Sequence, residues 1–214
     1  MKKLFNLSVC LLMCISLIGC SSQNQEVDNA RQPVQTQEQG QTDHSKKALV
    51  AFFSRNGENY SVGYVEKGNT QIVAEMIAEQ INGELFHIQT KEAYPQEYEA
   101  TTKVAQQQLR EKVRPELAET LENIDDYSTI YLGYPNWWGD MPMAVYTFLE
   151  TYDFSGKTII PFCTHAGSGL ASTEANIKKT CPQATVLNSF SILGATAQNS
   201  QDETKDKVEE WLKD

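Results

Sequence analysis

Ala48-Leu49-Val50-Ala51-Phe52-Phe53 runs directly into Ser54-Arg55-Asn56-Gly57, and Lys67-Gly68-Asn69-Thr70 then opens a helical pattern. An unbroken apolar run bounded by turn-forming residues reads as a strand buried on both faces. Downstream, Ile72, Val73, Met76, Ile77 and Ile81 form one apolar stripe at helical spacing, closed by Asn82-Gly83. The loop between strand and helix suits an anion. Free amides at a helix start point outward, and the helix dipole favours negative charge there. Ser54 and Thr70 add hydroxyls, Asn69 adds an amide, and Gly57 and Gly68 permit tight turns. An ordinary strand-to-helix turn, capped by Asn69 or Thr70, accounts for the same residues. The loop is neither a Walker A sequence nor a three-glycine dinucleotide fingerprint.

Two more apolar runs end in informative loops. Ile130-Tyr131-Leu132-Gly133 leads into Tyr134-Pro135-Asn136-Trp137-Trp138-Gly139-Asp140. Ile159-Ile160-Pro161-Phe162-Cys163 leads into Thr164-His165-Ala166-Gly167-Ser168-Gly169. Adjacent tryptophans in a short loop are hard to bury together, and each indole N–H wants a partner. A flat ligand stacked on one of them resolves this; the alternative puts one in the core and one on the protein's own surface. In the third loop, Gly167 and Gly169 around Ser168 let backbone approach a ligand edge. His165 is read as a ligand- or solvent-facing side chain, because the histidines at 44, 87 and 165 share no metal-ligand spacing.

The pattern along the chain places strands at 47–53, 84–89, 128–133, 157–163 and 185–192. Helices fall at 70–81, 98–112, 141–151, 172–180 and 201–213. Strict alternation implies a parallel sheet covered on both faces, and loops at the carboxyl ends of its strands share one edge, where ligands bind. A phosphate carrying a planar ring fits the three loops together. Ser200-Gln201-Asp202-Glu203 reads as a capping box for the last helix, with Val208, Trp211 and Leu212 facing the core. Residues 91–127 are polar, and Tyr94 to Glu116 reads as a surface excursion with one helix.

In this order, the three motifs resemble the flavodoxin family. Phe53-Ser54-Arg55 with Gly68-Asn69-Thr70 resembles its FMN phosphate loop, and the other two loops resemble its two flavin-ring loops. The resemblance implies a doubly wound α/β fold with a five-stranded parallel sheet of order 2-1-3-4-5, for which flavodoxin is itself the standard example. It implies non-covalent FMN held by Ser54, Arg55, Gly68, Asn69, Thr70, Pro135, Asn136, Trp137, Trp138, Gly139, Thr164, His165, Gly167, Ser168 and Gly169. Backbone near Gly139 would face the flavin N5. The family's compact phosphate loop runs Ser/Thr-x-Thr-Gly-x-Thr, whereas here residues 59–66 separate its halves. The structure must therefore answer which residues reach the phosphate and whether the insertion covers the ring. Arg55 and Lys67 bring positive charge to the anion, partly offset by Glu58 and Glu66.

The N-terminus reads differently. Lys2 and Lys3 precede an apolar stretch, Leu4 to Ile18, too short to span a bilayer comfortably. Leu17-Ile18-Gly19-Cys20 resembles a bacterial lipobox, which implies a signal peptide at residues 1–19 and lipid on Cys20. Residues 20–45, rich in Gln and Asn, cannot bury enough surface to fold and read as a tether. Residues 46–214 are then one domain of ordinary size.

The chain carries a net charge of −10, which argues against nucleic acid as a partner. A basic redox protein suits it better, although acidity alone also keeps a domain soluble. Acidic groups around a flavin would disfavour its anionic reduced form and lower its potential. Cys163 should end a strand at the ligand edge and Cys181 the next helix, which runs back about 15 Å toward the other edge; that exceeds the ~7 Å a disulfide allows, so both are expected to be free and mostly buried. The expected protein is a monomeric FMN electron carrier, lipid-anchored on the extracytoplasmic side of a bacterial envelope membrane. The alternatives are an FMN-dependent NAD(P)H:quinone-type oxidoreductase and a non-redox surface lipoprotein that kept the fold.

Overall fold

The computed structural model describes residues 47–213. The proposed signal peptide, Cys20 and the whole of the tether lie outside the described residues.

Strand β1 (Lys47–Phe52) is followed by a short antiparallel hairpin, β2 (Gly57–Asn59) and β3 (Gly63–Val65), and then by α1 (Asn69–Ile81). Next come β4 (Glu84–His87), α2 (Tyr98–Glu111), β5 (Tyr127–Pro135) and α3 (Met143–Thr151). The chain continues through β6 (Thr158–His165), α4 (Thr173–Thr180), β7 (Thr185–Val186), β8 (Phe190–Leu193), α5 (Gly194–Asn199) and α6 (Gln201–Trp211). The sheet order is β4-β1-β5-β6, and β6 then pairs with both β7 and β8. All of these pairings are parallel. This is the order 2-1-3-4-5 with its fifth strand in two pieces, interrupted at Leu187 to Ser189.

The period of two along each strand divides the core between the faces of the sheet. Leu49, Ala51 and Phe53 of β1 and its end join Ile130, Leu132 and Tyr134 of β5, beneath Phe148 and Leu149 of α3 and Ile177 of α4. Val50 and Phe52 point the other way, packing with Phe162 and Ile192 against Val73 and Ile77 of α1, Ala197 of α5 and Val208 of α6. Both faces are thus covered, as the unbroken apolar strands require. Trp211 and Leu212 pack against this second cluster. Among the described residues, no helix is long and apolar enough to cross a membrane.

The structure corrects several sequence-based expectations. The insertion read at 59–66 belongs to a hairpin, Gly57–Asn59 paired with Gly63–Val65, with Ser61 at φ 62° in its turn. Helix α5 precedes α6, so Ser200 ends one helix as it begins the next. Its amide donates to Thr196 O at 2.9 Å, and its side chain makes no capping bond, so no capping box forms. Tyr94 is half-buried rather than on an open excursion: its ring packs edge-on to Phe53, with centroids 5.5 Å apart. Cys163 and Cys181, by contrast, are both buried and unbridged as expected.

Candidate functional site

The sheet order brings the ends of β1, β5, β6 and β8 to one edge. A cleft of about 290 Å³ opens there, lined by Asn69, Pro135, Asn136, Trp137, Thr164 and His165 from the three loops. Ala166, and Leu193 to Ala195 at the start of α5, complete its base, while Asn59, Tyr60, Ser61 and Tyr98 line it from the hairpin and the start of α2. Gly194 lies close against Asn69: a Cβ on it would meet Asn69 Nδ2 at 2.5 Å and displace that amide.

Helix α1 begins without a cap of its own. Gly68 occupies the cap position and has no side chain to offer. Ser54, from the end of β1, supplies the missing acceptor, its Oγ taking a hydrogen bond from Gln71 N at 3.1 Å. Gly68 is the only residue type that fits this approach, because a Cβ would run into Ser54 Oγ and Arg55 O. The first-turn amides of Asn69 and Thr70 have no partner within the helix. Asn69 Oδ1 is buried and has no hydrogen-bond partner.

The two cations near this loop are committed elsewhere. Arg55 donates to Glu58 O at 2.5 Å and to Pro95 O and Gln96 O at 2.8 Å each, so its guanidinium binds backbone rather than the helix start. Lys67 pairs with Glu75 at 2.5 Å. What the α1 terminus offers an anion is therefore a set of neutral donors.

Trp137 and Trp138 separate completely. Trp137 lines the cleft while its ring packs edge-on to Phe53 and Tyr94, at 5.3 and 5.2 Å. Trp138 is 55% exposed and lies over α2, its indole N–H donating to Thr102 O at 3.2 Å. The two tryptophans diverge because the chain reverses here in a tight turn. Trp137 N donates to Asp140 O at 2.8 Å, Asp140 N donates to Trp137 O at 3.1 Å, and both central residues have positive φ, 59° at Trp138 and 80° at Gly139. That conformation suits Gly139 and strains Trp138 by about 1 kcal/mol or more.

Asn136 couples the second loop to the third. Its Nδ2 donates to Gly169 O at 2.7 Å and its Oδ1 accepts from Gly139 N at 3.0 Å. Gly139 O accepts from Ser172 N at 3.3 Å. The Gly139 backbone, expected to face a ligand, is thus bonded on both sides to protein. Thr164 pairs hydroxyl to hydroxyl with Thr70 at 2.8 Å, both buried. His165 Nδ1 accepts from Gly167 N at 2.9 Å. The neutral ring therefore carries its proton on Nε2, and burial holds its pKa below the ordinary value. Gly167 (φ 125°) and Gly169 (φ 58°) shape the turn, and Ser168 is exposed. Cys163 sits behind this loop, its thiol pushed up to about 12 by burial, and stays protonated.

Of the site residues expected from sequence, Asn69, Pro135, Asn136, Trp137, Thr164 and His165 line the cleft. Ser54, Gly68 and Thr70 build the helix start beside it. Arg55, Trp138, Gly139, Gly167, Ser168 and Gly169 shape or brace the loops without lining it. Asn59, Tyr60 and Ser61, from the inserted segment 59–66, and Tyr98 also line the cleft. The only signal for them is the pair of tyrosines in the insertion and the aromatic opening of the helix at 98.

A family model for flavodoxin matches residues 47–214. Among solved structures, a provisionally assigned flavoprotein from Bacteroides uniformis is 28% identical, with a TM-score of 0.61 over 78% of this chain and 98% of that one. A second, from Bacteroides eggerthii, is 26% identical, with a TM-score of 0.58 over 74% of this chain and 97% of that one. A flavoprotein from Lactobacillus acidophilus, solved in complex with FMN, shares the fold at 22% identity, with a TM-score of 0.57 over 78% and 99% of the two chains. No curated protein matches the chain.

Proposed function

The chain belongs to the flavodoxin family, and on that premise we propose that it is an FMN-binding electron-transfer flavoprotein, held at a bacterial envelope membrane by lipid on Cys20. The observation that carries the FMN reading is the convergence on one cleft of the α1 start, the Trp137 ring and the end of β6.

The residues present fit that cofactor. An unpaired buried acceptor such as Asn69 Oδ1 costs about 1–3 kcal/mol, which a donor on a ligand would recover, and the ribityl hydroxyls are donors of that kind. Ser54 and the amides of Asn69 and Thr70 would hold the phosphate, with the helix dipole assisting. Trp137, Pro135 and the segment Thr164 to Ala166 would take the ring. Trp137 is braced by Phe53 and Tyr94 before any ligand arrives, so little ordering cost remains to be met on binding. The His165 Nε2–H is the one side-chain donor of fixed tautomer in the lining. FMN supplies the redox chemistry when bound, and the protein orients and tunes it. The Lactobacillus acidophilus relative, solved with FMN, supports the same cofactor here.

Membership of the flavodoxin family supports electron transfer as the role, and the acidic chain suits a basic partner. A carrier of this kind, loaded with FMN, is reduced through a separate reductase and shows no steady-state NADH or NADPH oxidation with a quinone. Sustained turnover in that assay would make the protein a quinone-type reductase instead. The anchor rests on Lys2, Lys3, the apolar stretch and Leu17-Ile18-Gly19-Cys20. Mass spectrometry of the mature N-terminus tests it: an acylated Cys20 is expected, and a start at any other residue contradicts it.

A further inference from the structure

The β2–β3 hairpin separates Arg55 from Lys67, and capping α1 does not use it: Ser54 and Gly68 do that. Its base is nonetheless fastened firmly. Arg55 holds Glu58 O, Pro95 O and Gln96 O together, Glu58 N donates to Gln96 O at 2.9 Å, and Glu58 Oε2 accepts from Tyr98 N at 3.0 Å. Gly57 and Val65, at the two ends of the hairpin, are buried. An otherwise exposed ribbon is thus tied to the entry of α2 at its base while its turn, Asn59 to Ser61, reaches the cleft lining.

That turn carries Tyr60, 57% exposed, whose ring lies 6.0 Å from Tyr98, itself 38% exposed. Of the aromatic rings lining the cleft, only Trp137 is braced from behind. Tyr60 and Tyr98 lean on each other, with the rest of each ring exposed. The third loop, from Thr164 to Gly169, holds no phenyl, phenol or indole ring. Half-exposed phenol rings at the mouth of a cleft with a braced indole are suited to closing on a flat ligand: a large apolar face, few rotors and a polar tip for solvent.

We propose that the β2–β3 hairpin supplies a second, adjustable wall of the cleft, on which Tyr60, steadied by Tyr98, stacks against the ring of the bound flavin. This rests on the reading of the cleft as an FMN site. It assigns the insertion to the ring rather than to the phosphate loop that it interrupts.

The test is a fluorescence titration with FMN of the full protein and of Tyr60→Ala, Tyr60→Phe and Tyr98→Ala, followed by the visible spectrum of each at saturating FMN. Contacts on the ring shift the flavin bands, whereas contacts on the phosphate do not. Tyr60→Ala should weaken FMN binding about tenfold and alter the bound spectrum. Tyr60→Phe should restore both to within about twofold, and Tyr98→Ala should show the same change to a smaller degree. Because Tyr60 is exposed, the melting temperature without FMN should not move. Wild-type affinity in Tyr60→Ala overturns the proposal and leaves the FMN reading intact. Weakened binding with an unchanged spectrum also overturns it, placing the hairpin's effect at the phosphate. A wild-type protein that binds no FMN overturns the parent reading and this one with it.

Discussion

Thr70 Oγ1 and Thr164 Oγ1 lie 2.8 Å apart, both buried, and join the first turn of α1 to the last turn-ward residues of β6. The bond locks the start of α1 to the strand whose end carries His165. Thr164→Val removes one partner and leaves the Thr70 hydroxyl buried and unpaired, a loss of about 1–3 kcal/mol. Thr70→Val should cost a similar amount. The double variant should lose much less than the sum of the two, because neither hydroxyl is then stranded. Urea denaturation of the four proteins measures this, and additive losses would show that the two groups do not act as a pair.

The two tryptophans should respond oppositely to truncation. Trp137→Ala removes an indole packed on Phe53 and Tyr94, and is expected to cost about 3–5 kcal/mol as well as most of the flavin affinity. Trp138→Gly gives up the bond to Thr102 O but relieves a φ of 59°, so stability should change by no more than about 1 kcal/mol. Equal losses at both positions would contradict the division of roles.

Much of this site is legible in the sequence, and the exceptions have physical causes. The apolar runs and helical stripes place the strands and most helices correctly, because burial on both faces leaves a strong pattern. The hairpin is not legible: Gly57-Glu58-Asn59 and Gly63-Tyr64-Val65 carry no alternation, and Ser61 adopts a left-handed φ that nothing in its chemistry announces. The divergence of Trp137 from Trp138 depends on a turn whose second central residue alone, Gly139, marks it. Arg55 reads as a phosphate ligand from its position in the loop. Its guanidinium is instead taken by the carbonyls of Pro95 and Gln96, some forty residues away in the chain, a contact that only the folded chain creates.

Salt should matter little to cofactor binding. With Arg55 on backbone carbonyls and Lys67 on Glu75, neither cation is directed at the α1 start, and neutral donors are screened weakly. FMN affinity measured from 50 to 500 mM NaCl should change by less than about threefold. A drop of tenfold or more would show that a cation reaches the phosphate after all.

Stability should fall with acid in two separate windows. Burial holds His87 and His165 below their ordinary pKa of 6.5, so the folded protein binds fewer protons there than the unfolded chain. Their contribution is complete above that value and declines as pH drops through it. Glu150, held down by Arg114, and Glu174, held down by Lys178, contribute above the ordinary carboxylate range and lose that contribution only at lower pH. Denaturation midpoints at pH 7.5 and 5.5 should differ, and His87→Gln and His165→Gln should each reduce the difference. A midpoint that rises on acidification to pH 5.5 would contradict the sign.

The cleft joining Asn69, Trp137 and His165 is proposed here as a flavin site. Titration of the purified protein with FMN, followed by visible absorbance and flavin fluorescence, tests it most directly. Saturable one-to-one binding with quenched fluorescence, lost in Trp137→Ala, is expected. A folded protein that leaves FMN fluorescence unchanged would contradict it.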